Sequence, residues 1–207
     1  MSRKESFIAA CIQFNPTLNE REKNIEKLTE LVYEAAKNGA KFIVTPEMAT
    51  TGYYYSDRDA IKHYVDTIPG MTTSIFEKIC RELNIYVVIG MPEVDPDTDI
   101  YYNSAALIGP EGYIGKYRKI HLWEWEAHWA VAGDLGVPVM ETPLGNIAIN
   151  ICMDSIYFES SRIAMLHGAD ILAFPTNSSA QSISFLQSRA ETNGLYILSA
   201  NRSNEEH

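Results

Sequence analysis

Apolar side chains in this sequence repeatedly change their period. Stretches in which they alternate with polar residues give way to stretches in which they recur every three or four positions. Alternation predicts half-buried strands, the longer spacing predicts amphipathic helices, and their succession restricts the chain to a mixed αβ architecture. The pattern predicts strands over residues 6–14, 41–45, 86–91, 102–108, 113–119, 137–141, 146–152, 170–174 and 195–200. Helices are predicted over 19–38, 72–83, 157–167 and 182–193. In the first helix Ile25, Leu28, Leu31, Val32 and Ala35 share a face, and Gly39 stands where a C-terminal cap belongs. Thr72 or Thr73 is the expected cap of the second helix. The turn Pro110-Glu111-Gly112 joins two strands as an antiparallel hairpin.

No linker, repeat or low-complexity tract interrupts the alternation, so residues 1–207 read as a single domain with a sizeable core. Seventeen Lys and Arg against 27 Asp and Glu give a net charge of −10, which disfavours nucleic acid or an anionic membrane as partner. No apolar run approaches the ~18 residues of a membrane span. The opening MSRKESFIAACIQF reads as a strand and not as a signal peptide. Three cysteines in unlike contexts argue for a reducing cytoplasm over a disulfide framework. The five histidines lack ligand spacing and no CxxC occurs, so no metal site is expected.

Three predicted strands lead into residues with chemistry. Glu47 follows strand 41–45, Lys119 ends strand 113–119, and Cys152 ends strand 146–152. Ligands of open αβ sheets collect where strands end and loops begin. Helical spacing starts directly after Cys152, so its thiol is either core filling or a nucleophile that a helix N-terminus helps to ionise. Together the three groups could form one reaction centre. The carboxylate would act as general base on the thiol, and the ammonium would lower the thiol pKa and stabilise an oxyanion. Spacing alone does not bring them together.

The segments VTPEMATTGY, GKYRKIHLWEWE and NICMDSIYFE, in this order, resemble the nitrilase superfamily of carbon–nitrogen hydrolases. The resemblance runs from Ala9-Ala10-Cys11-Ile12-Gln13 through LQSRAETNGLYILSANR. It implies a four-layer α-β-β-α sandwich, with two mixed sheets face to face and helices outside. It also implies at least a homodimer formed through helices, and chemistry that needs no metal or other cofactor. Carried over by position, Glu47 is the general base, Lys119 polarises the carbonyl or nitrile, and Cys152 is the nucleophile that forms a thioester or thioimidate. The amide of Met153 joins Lys119 in the oxyanion hole. Glu126, or Glu124 if the register differs, orients substrate and water. Tyr53 lines the pocket, and Phe174 and Asn177 lie near its mouth.

Two departures from the family pattern bear on function. The nucleophile motif is Cys152-Met153-Asp154 and not Cys-Trp-Glu, which resembles the amidase and carbamoyl-amidohydrolase branches. Phe158 also stands where the family places a proline. The sequence ends at His207, where relatives of this type continue with further strands, so the sandwich is expected to lack its C-terminal strands. The expectation is therefore a cytoplasmic amidohydrolase acting on a small amide or N-carbamoyl substrate. A nitrilase proper, and a non-catalytic member acting by binding or oligomerisation, remain as alternatives. Cys11, Cys80, His121 and His128 read as structural, Arg118 as solvated or ion-paired, and Trp123, Trp125 and Trp129 as core or interface. Asp154 reads as a cap of the helix that follows Cys152.

Overall fold

Nine strands and five α-helices form among the residues described by this computed structural model, 6–178 and 183–203. The first sheet holds β1 (Ile8–Cys11), β2 (Ala40–Val44), β3 (Tyr86–Val94), β4 (Tyr101–Gly109) and β5 (Gly112–Arg118), side by side in chain order. The first three strands run parallel; β4 and β5 turn back as an antiparallel meander. The second sheet holds β6 (Val139–Thr142), β7 (Gly145–Ile149), β8 (Ile171–Thr176) and β9 (Tyr196–Asn201), antiparallel at its first pair and parallel thereafter.

The period-two pattern sorts side chains to two faces of the first sheet. Ile43, Val87, Ile89, Ala106 and Ile108 face the helices α1 (Arg21–Lys37) and α3 (Met71–Leu83), packing with Leu28, Val32, Phe76 and Ile79. Their neighbours Phe42, Val44, Val88 and Leu107 face the second sheet and pack on Ile147, Ile149 and Leu172. On the far side of that sheet lie α4 (Phe158–Leu166) and α5 (Ile183–Asn193), which pack on each other. The result is the expected α-β-β-α order of layers. β9 is the outer strand of its sheet, and Tyr196 on it is 78% exposed.

Several boundaries differ from expectation for local reasons. Asn19 takes φ +64°, a left-handed conformation that cannot start a helix, so α1 begins at Arg21. The second helix begins at Met71. Its first turn is capped by Asp66, whose carboxylate accepts from Thr72 N at 2.7 Å, while Thr73 Oγ1 accepts from Gly70 N at 2.8 Å. Neither threonine is itself the N-cap. A short helix α2 (Arg58–Ile61) forms where none was read, capped by Asp57 accepting from Ala60 N at 2.9 Å. β1 is shorter than predicted, and β7 stops at Ile149, three residues before Cys152. Gly39 ends α1 at φ +90°, as expected of a C-terminal cap. Residue 182, the expected start of the last helix, lies outside the described residues.

Candidate active site

Glu47 owes its position to the end of β2. Thr45 N still donates to Val88 O at 3.0 Å; Pro46, with no N–H, then ends the ladder and releases the chain over β3. β3 meets this bend with Gly90, where a Cβ atom would lie 2.2 Å from Pro46 O and 3.0 Å from Glu47 Cα. The close approach seals Glu47 inside, with 1% exposure.

Lys119 is the first residue beyond β5 and is fully buried. Its N–H donates to Asn103 O and its carbonyl accepts from Gly133 N, both at 2.8 Å. The ammonium lies between two carboxylates, 2.6 Å from Glu47 Oε1 and 2.6 Å from Glu126 Oε2. Glu126 is presented by a 3-10 turn, residues Glu124–His128, and its Oε2 also accepts from Trp123 N at 2.6 Å. Glu124, the other glutamate considered, is exposed and takes no part in the cluster.

Asn103 completes the arrangement. Its Nδ2 donates to Glu47 Oε1 at 2.8 Å and to Glu126 Oε1, so one amide and one ammonium hold both acids. Two buried atoms, Glu47 Oε2 and Asn103 Oδ1, have no hydrogen-bond partner among the described residues. A buried acceptor left unpaired costs on the order of 1–3 kcal/mol, so the carboxylate oxygen is poised to receive a proton.

Cys152 enters from the second sheet. It opens a 3-10 turn, Cys152–Ile156, at φ +41°, a conformation rare for a side-chain-bearing residue outside strained functional sites. Beyond the end of β7 it lies near the end of β8, where the Asn177 N–H and the Thr176 hydroxyl favour the ionised form of its sulfur. Glu47 and Lys119 both act on it electrostatically, so groups from the two sheets converge here.

The charges are mutually dependent. Burial above all, then the Glu126 carboxylate, raises the pKa of Glu47 to about 7 against the opposing pull of Lys119 and Asn103. Burial opposes the charge on Lys119, but Glu47, Glu126 and Cys152 outweigh it and the pKa rises. The Cys152 thiol is pushed up to about 12, by burial first and by Glu47 next; Lys119, Asn177 and Thr176 pull it down without prevailing. The ammonium lowers the thiol pKa as expected, but burial and the Glu47 carboxylate outweigh it.

Of the other residues singled out in the sequence, Tyr53 is buried against the site. Burial first, then the charges of Glu47, Glu126 and Cys152, drive up the pKa of its hydroxyl, and its ring lies 6.0 Å from that of Trp123. Met153 is half-buried at the start of the 3-10 turn, where first-turn N–H groups have no helical partner. Asn177 reaches Cys152 through its backbone. Phe174 is 1% exposed within β8, which places it in the interior and not at a solvent-facing mouth.

Asn103 and Thr176 were not anticipated. Asn103 could have been noticed as an amide in the middle of the otherwise apolar strand YYNSAALIG. Arg118 is buried and paired with Glu93, Asp95 and Asp134, with its guanidinium 3.8 Å from the Tyr102 ring centroid. Cys80 is fully buried on the inner face of α3, and Cys11 packs at the edge of the core between the sheets. Trp129 is buried, whereas Trp125 is exposed. Among the described residues no group of three or more His, Cys, Asp or Glu could hold a metal ion, and no helix is long and apolar enough to cross a membrane.

Comparison with known proteins bears on this geometry. The family model for carbon-nitrogen hydrolases matches residues 8–207. A nitrilase of Pyrococcus abyssi is 38% identical over 199 residues, covering 95% of this chain and 75% of that protein. A formamidase of Bacillus cereus is 34% identical over 207 residues, covering 94% of this chain, which spans only 62% of that relative. Among solved structures, an amidase from Nesterenkonia sp. superposes with a TM-score of 0.82 at 22% identity, over 99% of this chain and 79% of the other. A carbon-nitrogen hydrolase from Helicobacter pylori superposes at 0.84 and 23%, over 96% and 74%. The two structures share the fold; the family match and the Pyrococcus abyssi relative go further, and by them this chain belongs to the carbon-nitrogen hydrolase family.

Proposed function

We propose that this chain, as a single domain, hydrolyses a non-peptide amide or N-carbamoyl bond through a thioester on Cys152. The observation that carries the reading is the buried Glu47–Lys119–Glu126 cluster within electrostatic reach of the thiol. Cys152 Sγ bonds to the carbonyl carbon as its proton passes to Glu47 Oε2, the unpartnered oxygen. With its pKa at about 12 the thiol is not ionised at rest, so attack and proton transfer proceed together. Neutralising Glu47 also removes the charge that opposes a thiolate. Lys119 Nζ and the Met153 N–H hold the developing oxyanion.

Collapse of this intermediate breaks the C–N bond, and the departing nitrogen takes the proton from Glu47. Water then gives a proton to Glu47 and adds to the thioester. The C–S bond breaks, the sulfur regains a proton and the acid leaves. Glu126 and Tyr53 orient substrate and water, and Phe174 and Asn177 shape the acyl side. Nucleophile, base and cation are all side chains, so the cycle itself calls for no cofactor.

The nitrilase of Pyrococcus abyssi supports a second reading, in which a nitrile is attacked to give a thioimidate. Ammonia release from paired amides and nitriles separates the two readings. In either case Cys152→Ala abolishes turnover while leaving the circular dichroism unchanged; retained turnover in that variant rules out a cysteine mechanism. A folded wild-type chain that turns over neither substrate class, and whose Cys152 is inert, is instead the non-catalytic member. The proposal also takes the chain to be a cytoplasmic homodimer or larger homo-oligomer. The exposed apolar residues Ile156, Phe158, Leu166 and Ile183 on the outer helical layer support a second copy as partner, and molar mass by light scattering tests it.

A further inference from the structure

The mechanism leaves the buried acid beside the nucleophile unused. Asp154 is fully buried two residues beyond Cys152, and its carboxylate receives four donors. Oδ2 accepts from Ile151 N and from the Tyr117 hydroxyl, both at 2.8 Å. Oδ1 accepts from His121 N at 3.0 Å and lies 2.8 Å from His121 Nδ1. These partners belong to two different parts of the site.

Ile151 immediately precedes the nucleophile. Asp154 N donates to Ile151 O at 3.0 Å while Ile151 N donates to the Asp154 carboxylate. The pair of bonds closes a ring around Cys152 and Met153. Within that ring Cys152 takes φ +41°, a conformation that persists only where its surroundings enforce it. Tyr117 and His121 stand two residues before and two residues after Lys119. Tyr117 is itself fully buried, and its hydroxyl also accepts from Ile120 N at 3.3 Å. The His121 ring is held flat against Tyr157, centroids 3.8 Å apart, at the far end of the nucleophile's turn. One carboxylate thus ties the segment that carries the cation to the turn that carries the thiol.

We propose that Asp154 is a positioning residue that sets the separation of Lys119 and Cys152 and fixes the backbone conformation of the nucleophile. The inference rests on the hydrolase reading above, and it goes beyond capping, which needs only the bond from Ile151. Both oxygens are already engaged by donors. An amide at this position would turn an NH₂ group toward either the Tyr117–Ile151 pair or the two His121 nitrogens, and would break at least one arm.

The test uses the full chain and two readouts. The first is the rate at which iodoacetamide alkylates Cys152, resolved from Cys11 and Cys80 by peptide mapping. The second is the separate kcat and KM for the amide that the wild-type chain hydrolyses. Asp154→Asn is expected to slow Cys152 alkylation at least tenfold. It is also expected to lower kcat about a hundredfold with KM within about twofold, the scale expected for roughly 1 Å of misplacement. Tyr117→Phe removes a single hydroxyl and is expected to do the same about tenfold; it decides the matter should Asp154→Asn fail to fold. A residue that merely stabilised the fold would lower Tm and leave both rates unchanged well below it. That outcome, or a rise in KM at constant kcat, overturns the proposal. A wild-type chain that hydrolyses neither amides nor nitriles instead sinks the hydrolase reading, and this inference with it. A reactive wild type whose folded variants keep their rates overturns the role of Asp154 alone.

Discussion

Glu47 is buried with a second carboxylate nearby, and it is held by one ammonium and one amide. Its pKa of about 7 has a direct kinetic consequence. The base must be ionised to accept a proton, so raising its pKa moves the acid limb of the rate profile upward. The quantity kcat/KM is expected to fall about tenfold per pH unit below about 7 and to level off above it. An unperturbed glutamate would put the limb near 4.3. Glu47→Gln is expected to abolish the limb and cost about 10²–10⁴ in kcat. Asn103 pulls the Glu47 pKa down, so Asn103→Leu is expected to move the limb to higher pH as well as to lower the rate. A limb that stays in place in that variant contradicts the role given to the amide.

Each candidate group is placed by the way its element ends. β2 stops at a proline bend, β5 hands over directly to Lys119, and β7 ends before the strained turn of Cys152. Gly90 on β3 is the hinge point of the first of these. Any Cβ there collides with Pro46 O, at 2.2 Å, and backbone cannot yield as a side chain can. Gly90→Ala is expected to displace Glu47 and lower kcat about a hundredfold with secondary structure retained. An active, folded Gly90→Ala would show that the approach tolerates adjustment. Much of this was legible in the sequence, because periodicity registers burial: Phe42 and Val44 face one way and Ile43 the other, as alternation requires. The three motif residues were legible because each stands at an element end. Cap details were not, since Asp66 reaches the start of α3 through tertiary placement. Asn103 was missed because its value depends on two acids 56 and 23 residues away in sequence. The net upward shift of the Cys152 thiol was missed because burial is not written in local spacing.

Across the whole molecule the site lies where the two sheets meet, and neither sheet contains it alone. Glu47, Asn103 and Lys119 come from the first sheet and its ends, and Cys152, Thr176 and Asn177 come from the ends of strands of the second. The two sheets share one core, in which Val88, Leu107 and Tyr117 pack on Ile147, Ile149 and Leu172. Neither sheet can part from the other without exposing that layer, so they are expected to unfold together. All three tryptophans lie at positions 123, 125 and 129, in the segment that carries Glu126, so their fluorescence reports on the site itself. Under urea, tryptophan fluorescence, far-ultraviolet circular dichroism and the rates of Cys11 and Cys80 alkylation are expected to change at one midpoint. Leu107→Ala removes side-chain volume from a fully buried position in the shared core and is expected to cost about 2–5 kcal/mol. All the signals should then move to lower urea by the same amount. A fluorescence transition that precedes the loss of circular dichroism would mean that the site opens while the sheets remain joined. The shared core would then not be what holds Glu47 and Lys119 against Cys152.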